Sequence, residues 1–300
     1  MATAREIRRR IRSVRNIAKV TGALEAVSAS KVRRAQQQAL ASRAYARAAF
    51  EILQDIALYH EGGTTHPLLD QRPFVNRIGV VLITSDRGLA GPYNTNLVRT
   101  AIDFEKKQTV PVVYIAVGRK GRDLMLRRGS TIIAEFSHLP GTPSILDITA
   151  LSRTVMDDFL NGEVDEVYIA YTSFVNMLRQ EPVVQRLLPL QPHRTGTTAR
   201  MGESTREGPR AVYLFEPDPQ SILDEILPRF TELIIYQSLL ESLASEHSAR
   251  MVAMRNATEN AHALVEDLTL SYNKARQLAI TNEILDIVGG AEALAQAETE

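Results

Sequence analysis

The sequence predicts an α/β domain carried between two long terminal helices that pair as an antiparallel coiled coil. Three observations lead there. The chain has no proline and one glycine, Gly22, before residue 60, and its last third repeats apolar residues at a mean spacing of about 3.5. Between these ends, apolar strand-like runs alternate with helix-like ones. The charge is also divided: 35 basic and 35 acidic side chains cancel overall, yet residues 1–36 carry ten basic residues against Glu6 and Glu25, a net +8. Residues 216–300 carry five basic and fifteen acidic residues, a net −10, and 37–215 a net +2. The predicted units are an N-terminal coiled-coil helix over 1–62, a central domain over 75–215 and a C-terminal coiled-coil helix over 216–300.

The N-terminal helix opens on Thr3-Ala4-Arg5-Glu6, a capping box in which each end residue satisfies the other's backbone N–H. Alternating steps of four and three trace a seam through Ile7, Ile11, Val14, Ala18, Thr21, Glu25, Ser28, Val32, Ala35, Ala39, Ser42, Ala46, Ala49, Leu53 and Ile56. Its middle is built from small residues, which let a partner helix approach closely. Gly62-Gly63 supplies a stop. An Arg-rich, acid-poor opening also fits a transit peptide or a tail for a polyanion. The seam continuing past residue 30 favours the helix.

The central region reads as a mostly parallel sheet with covering helices, a Rossmann-like arrangement. Ile78–Thr84 is a continuous apolar run, as in a strand buried on both faces. A helix near 95–107, a strand over Val112–Val117, a basic helix near 119–128, a short strand over Thr131–Ala134, a helix over 144–160 and a strand over Glu166–Tyr171 follow. Val183–Leu190 and Ala211–Phe215 are expected to add antiparallel strands, and 191–210 to form a loop.

The far helix carries the more regular repeat: Ile226, Phe230, Leu233, Gln237, Leu240, Ala244, His247, Met251, Met254, Thr258, Ala261, Val265, Leu268, Tyr272, Ala275 and Ala279. A sustained 3.5-residue period implies a left-handed supercoil, and about 60 residues would make a rod of roughly 90 Å. Pro228 is expected to begin or kink this helix, and Gly289-Gly290 to interrupt it. The opposite charges of the two helices suggest mutual attraction.

Chemistry is hard to place. With no cysteine there is no disulfide, thiolate metal site or Cys nucleophile. No apolar run approaches the roughly 18 residues of a membrane span. The six histidines show no ligand spacing, and His247 reads as a core residue of the seam. Neither GxSxG nor HExxH occurs. The turn Ser85-Asp86-Arg87-Gly88-Leu89-Ala90-Gly91 sits where a dinucleotide fold holds phosphate, but it lacks the GxGxxG and Walker spacings and reads as structural. A nucleic-acid adaptor is disfavoured by the acidic second helix and by the scarcity of aromatics among the arginines. A nicotinamide oxidoreductase lacks its glycine fingerprint.

Three blocks carry a resemblance along nearly the whole chain. They are Arg10–Asn16 with Ala29–Gln36; Ser85–Gly91 through Asn94, with Ala90 where Cys is usual; and Ser245–Met251, Ala257–Ala261, Tyr272–Gln277 and Ile280–Ala291. In these the chain resembles the γ subunits of bacterial F-type ATP synthases. The resemblance implies a non-catalytic rotor that passes torque between a proton-driven c ring and the catalytic α/β hexamer, coupling proton translocation to ATP synthesis or hydrolysis. It implies no catalytic, cofactor or metal site on this chain, the nucleotide sites lying on β. The implied partners are the α and β subunits, the ε subunit and the c ring, with no nucleic acid and no insertion into the membrane. The implied location is peripheral, at the cytoplasmic face of the plasma membrane. Carried over residue by residue, Arg276, Gln277 and Thr281 would contact acidic β loops, and Ile280, Thr281, Glu283, Asp286, Gly290 and Ala291 occupy the family signature.

Overall fold

The structure, a computed structural model, describes residues 3–59, 66–190 and 219–297, with side chains over 3–41, 66–190 and 221–291. The expected glycine stop at 62–63, the loop over 191–210 and the strand over 211–215 lie outside the described residues, as do the seam side chains from Ser42 onward in the first helix. The chain divides into two compact bodies, one of 1–27 with 251–300 and one of 28–250.

The terminal helices are α1 (Ala4–Tyr59) and α5 (Pro219–Ala297). Helix α1 starts on the expected capping box: Thr3 N–H donates to Glu6 Oε2 at 3.0 Å and Glu6 N–H to Thr3 Oγ1 at 3.3 Å. Two expectations about α5 are corrected. Pro228 neither begins nor breaks the helix, which starts nine residues earlier and runs through it. Proline removes one backbone bond and crowds the preceding turn. Leu223, Leu227 and Phe230, buried on either side, hold that turn against the sheet. Gly289-Gly290 does not interrupt α5 either. Each glycine costs only about 1 kcal/mol relative to alanine, and the Ala-rich segment beyond favours continuation.

In the body of 1–27 and 251–300 the two helices run antiparallel. Thr21 faces Thr258, with hydroxyl oxygens 2.6 Å apart, and Glu25 Oε1 accepts from Arg255 Nε at 3.1 Å. Ile7, Ile11, Ala18 and Thr21 are buried from α1, and Met254 and Ala261 from α5. In this body, and among the described residues, the expected attraction between oppositely charged helices is not carried by a basic residue of α1 paired with an acidic one of α5. Among the described residues the cross-helix pair in this body is Glu25–Arg255, whose polarity is the reverse of the net charges. The helices meet through small and apolar side chains, and most of the arginines point to solvent.

The body of 28–250 holds the sheet. Strands β1 (Ile78–Ile83), β2 (Val112–Val117), β3 (Ile132–Phe136), β4 (Glu166–Phe174) and β5 (Gln180–Leu188) lie in the order β3-β2-β1-β4-β5. Pairings β1–β2, β2–β3 and β1–β4 are parallel, and β4–β5 is an antiparallel hairpin. All six residues of β1 are buried, as a central strand covered on both faces requires. One face packs on α2 (Tyr93–Glu105) and α3 (Arg119–Arg128) through Leu97, Val98, Ala101 and Met125. The other packs on α4 (Thr149–Leu160) and on α5, through Leu151, Val155 and Phe159, then Leu223, Leu227, Phe230, Leu233, Ile234, Ile235 and Leu239. The stretch expected as one helix over 144–160 is a 3-10 turn, Ile145–Ile148, followed by α4. The Asp147 carboxylate accepts from Ser144 N–H and Oγ, both at 2.7 Å, and starts that turn.

The first part of α5 therefore has two partners. Its seam face meets α1, where Ala35, Ala244 and Phe174 cluster and Gln237 Nε2 donates to Ala39 O at 3.4 Å. Its other face lies on the sheet.

Candidate partner surfaces and the β1–α2 turn

Within the body of 1–27 and 251–300, the seam weakens toward the end of α5. Among the described residues Tyr272 and Ala275 are the last half-buried ones, and every residue from Arg276 to Ala291 is exposed. This stretch contains Arg276, Gln277 and Thr281, and all the signature positions Ile280, Thr281, Glu283, Asp286, Gly290 and Ala291. Helical spacing puts Arg276 beside Ile280, and Gln277 beside Thr281, on adjoining faces. Ile280, Ile284, Ile287 and Val288 fall at i, i+4, i+7 and i+8, an apolar stripe. Ile287 is 72% exposed and Leu285 62%. The residues share one helical segment and enclose no cavity. The arrangement suits recognition by a surrounding surface.

On α1, Arg5, Arg8, Arg9, Arg10, Arg12, Arg15 and Lys19 are exposed, and none meets a carboxylate of α5 among the described residues. In the body of 28–250, Arg33 and Arg34 are likewise exposed, off the seam formed by Val32 and Ala35. The basic face is free to meet an acidic partner.

The turn between β1 and α2 is tightly tied. Asn94 Oδ1 accepts from Ser85 N–H at 3.0 Å, and Ser85 Oγ donates to Arg87 O at 2.7 Å. The Asp86 carboxylate accepts from Arg119 N–H at 3.1 Å, at the start of α3, and from His138 N–H at 2.9 Å. A helix N-terminus attracts anions, and here the chain's own carboxylate occupies it. Among the described residues no group of three His, Asp or Glu side chains is placed to hold a metal ion. No helix of the described residues is long and apolar enough to cross a membrane.

Sequence reasoning missed the pairing of Arg250 with this turn. Its guanidinium donates to Gly88 O from Nε at 3.3 Å and from Nη2 at 3.2 Å, and Nη2 meets Glu246 Oε1 at 2.7 Å. A signal was present: Glu246 and Arg250 stand at i, i+4, the spacing of a helical ion pair. Burial raises the Glu246 carboxyl above its ordinary value despite Arg250. Burial, with Arg250 and Lys31 nearby, lowers His247 to about 4.

The family model described as ATP synthase matches residues 3–294. The ATP synthase gamma chain of Dehalococcoides mccartyi is 48% identical over 296 residues, covering 98% of this chain and 100% of that one. The chain belongs to the ATP synthase gamma-chain family. A second gamma chain, from Herpetosiphon aurantiacus, is 47% identical, with 99% and 100% covered. The fold recurs in chains of solved ATP synthase assemblies. A chain of the Euglena gracilis mitochondrial ATP synthase (OSCP/F1/c-ring, rotational state 3) superposes with TM-score 0.67 at 19% identity, covering 99% of this chain and 96% of that one. One from the Tetrahymena thermophila mitochondrial ATP synthase central stalk and c ring gives 0.58 at 22%, covering 79% and 99%.

Proposed function

We infer that the chain is the central-stalk rotor subunit of an F-type ATP synthase, transmitting torque between a c ring and the catalytic α/β hexamer without performing bond chemistry itself. The observation that carries this reading, in a gamma-chain family member, is the end of α5: a helix that leaves its seam and runs on with residues 276–291 all exposed. A helix bearing an apolar stripe does not stand alone in water without a partner of its own.

An antiparallel helix pair has no rotational symmetry about its axis. Identical β subunits arranged around it meet different faces, and their conformational equilibria differ accordingly. Turning the pair cycles those populations, provided its contacts differ between β states. Arg276, Gln277 and Thr281 are the proposed contacts with acidic β loops. The stripe of Ile280, Ile284, Ile287 and Val288 turns in an apolar sleeve, where non-directional attraction permits sliding. The basic face of α1, with Arg33 and Arg34, meets acidic surfaces of the hexamer. The division of labour follows the units 1–62 and 216–300 as shaft and 75–215 as foot, the foot binding ε and the c ring. The chain is held peripherally at the cytoplasmic face of the plasma membrane through those partners.

The test is co-expression with α, β and ε subunits and the membrane sector. An assembled complex whose ATP hydrolysis pumps protons is expected. Arg276→Ala with Gln277→Ala and Thr281→Ala should lower coupled turnover, and Arg33→Glu with Arg34→Glu should weaken it at low salt. A chain that never co-purifies with α and β would overturn the reading, and a charge reversal that changes neither assembly nor coupling at low salt would overturn the contact of the basic face with the hexamer.

A further inference from the structure

Within the body of 28–250, α5 is fixed to the sheet in two chemically different ways. From Leu223 to Leu239 the contact is mainly apolar, with two part-buried bonds, Tyr236 Oη donating to Pro143 O at 3.0 Å and Thr149 Oγ1 to Glu232 Oε1 at 2.9 Å, neither of which reaches a strand. Burial of this kind is strong but non-directional, so it resists separation more than rotation or sliding. From Gln237 to Ser248 the buried face turns polar, with Ser238, Glu241, Ser242, Ser245 and Glu246 enclosed. Hydrogen bonds weaken steeply when their angle changes, so this segment is where a turn of α5 against the sheet meets resistance.

The stitches are specific. Ser242 Oγ lies 2.6 Å from Tyr93 Oη and donates to Ile83 O at 3.3 Å. Ser245 Oγ donates to Thr172 O at 3.0 Å, and Ser173 Oγ to Glu241 Oε2 at 3.0 Å. These reach the C-terminal ends of β1 and β4. The last stitch is the only charged fork among them: Arg250, held by Glu246, spans to the carbonyls of Gly88 and Arg87. Both side chains are largely enclosed, at 12% and 11% exposure.

The receiving turn is built as a fixed abutment. Leu89 has φ +63°, a left-handed conformation that costs a non-glycine residue roughly 1–2 kcal/mol. Such strain persists only where the surroundings impose it. Here Asn94 on α2, the start of α3 and the backbone of His138 all hold the turn through Ser85 and Asp86. The guanidinium therefore grips a rigid edge of the domain.

We propose that Arg250, oriented by Glu246, is a positioning residue that locks α5 in rotational register with the α/β sheet, so that torque entering the sheet domain turns α5 instead of slipping past it. The proposal rests on the rotor reading above. It also explains why two of the recognisable sequence blocks, 85–94 and 245–251, belong together: one supplies the fork and the other its carbonyls.

The test uses the assembled complex in inverted vesicles, with proton pumping and ATP hydrolysis measured on one preparation and amide exchange followed at residues 87–91. Arg250→Gln should leave hydrolysis close to that of the unaltered complex, lower protons pumped per ATP several-fold, and speed exchange over 87–91. Arg250→Lys, which keeps the charge against Glu246 but loses the fork, should fall between. Glu246→Gln gives the same reading should Arg250→Gln not assemble. An unchanged pumping-to-hydrolysis ratio with faster exchange overturns the lock, as does a parallel fall of both activities. A complex without coupled pumping in the unaltered chain would sink the rotor reading, a result distinguishable from either.

Discussion

Thr21 on α1 and Thr258 on α5 meet hydroxyl to hydroxyl, 2.6 Å apart, at a seam position where a coiled coil usually places larger apolar side chains. Each also has a carbonyl of its own helix within reach, Ala18 O at 3.1 Å and Met254 O at 2.9 Å. The small side chains bring the helices close, and the hydrogen bond between the two hydroxyls ties them at one register.

Replacing one of the pair leaves the other hydroxyl without its cross-helix partner. Thr21→Val and Thr258→Val should each cost about 1 kcal/mol, and the double variant less than the sum, because an apolar pair of the same shape leaves nothing unsatisfied. A double-mutant cycle on chemical denaturation measures this. Strict additivity would mean that the contact contributes nothing.

A second expectation separates backbone strain from lack of space. Gly118 and Gly129 both have positive φ, +90° and +83°. A Cβ on Gly129 meets nothing within 4 Å, whereas on Gly118 it would stand 2.2 Å from the Thr84 carbonyl oxygen. Gly129→Ala should cost only the conformational penalty, about 1–2 kcal/mol. Gly118→Ala must also push α3 from the end of β1 and should cost at least about 3 kcal/mol. Equal losses of thermal stability would refute the distinction.

Much of the fold was legible because one physical pattern dominated each region. In α1 every buried residue among the described side chains, from Ile7 to Ala39, lies on the seam read from period alone. That helix buries a single stripe. The parallel strands were legible because β1 and β2 are continuous apolar runs. Helix α5 was read only in part. Leu227, Ile234, Ile235 and Leu239 lie off its heptad and are buried because the sheet covers a second face, which a one-stripe period cannot reveal. Its Pro228 and Gly289 looked like boundaries because local propensity carries no knowledge of what packs outside. The exposed residues Arg276, Gln277 and Thr281 are the opposite case. Residue type and spacing alone describe a solvated helix, and only the resemblance singled them out. Arg250 needed the fold, since its carbonyl partners are about 160 positions away in sequence.

Asp165, just before the interior strand β4, is a heavily bonded carboxylate. Burial would raise it, but Arg72 Nη1 at 2.7 Å and the N–H groups of Asn76 and Arg77 at 2.6 and 3.1 Å outweigh that and hold it below the usual 3.8. A lowered carboxyl stabilises the folded state above its ordinary value, and that contribution is lost as pH falls through the folded value. Asp165→Asn should cost about 2–3 kcal/mol at neutral pH. The difference from the unaltered chain should shrink as acid protonates Asp165 itself. An undiminished gap in strong acid would show that the loss came from packing.

His247 sets a pH slope of the other kind. It is 6% exposed in the seam, its Nε2 has no hydrogen-bond partner among the described residues, and burial followed by the charges of Arg250 and Lys31 lowers it from 6.5 to about 4. As pH falls below 6.5 the unfolded chain takes a proton that the folded chain refuses, so stability declines until pH reaches about 4, and His247 contributes no further loss below that. The expected decline from this group is roughly 2 kcal/mol between neutral pH and pH about 5. Glu246 opposes it: its carboxyl is raised, first by burial, so the folded chain takes a proton before the unfolded one and gains stability as pH falls. His247→Leu removes the decline and the orphaned nitrogen together, and should be close to neutral in stability at neutral pH. Glu246→Gln should steepen the decline. Denaturation midpoints for both variants and the unaltered chain across that pH range decide the matter; a His247→Leu chain that still loses stability as steeply as the unaltered one assigns the slope elsewhere.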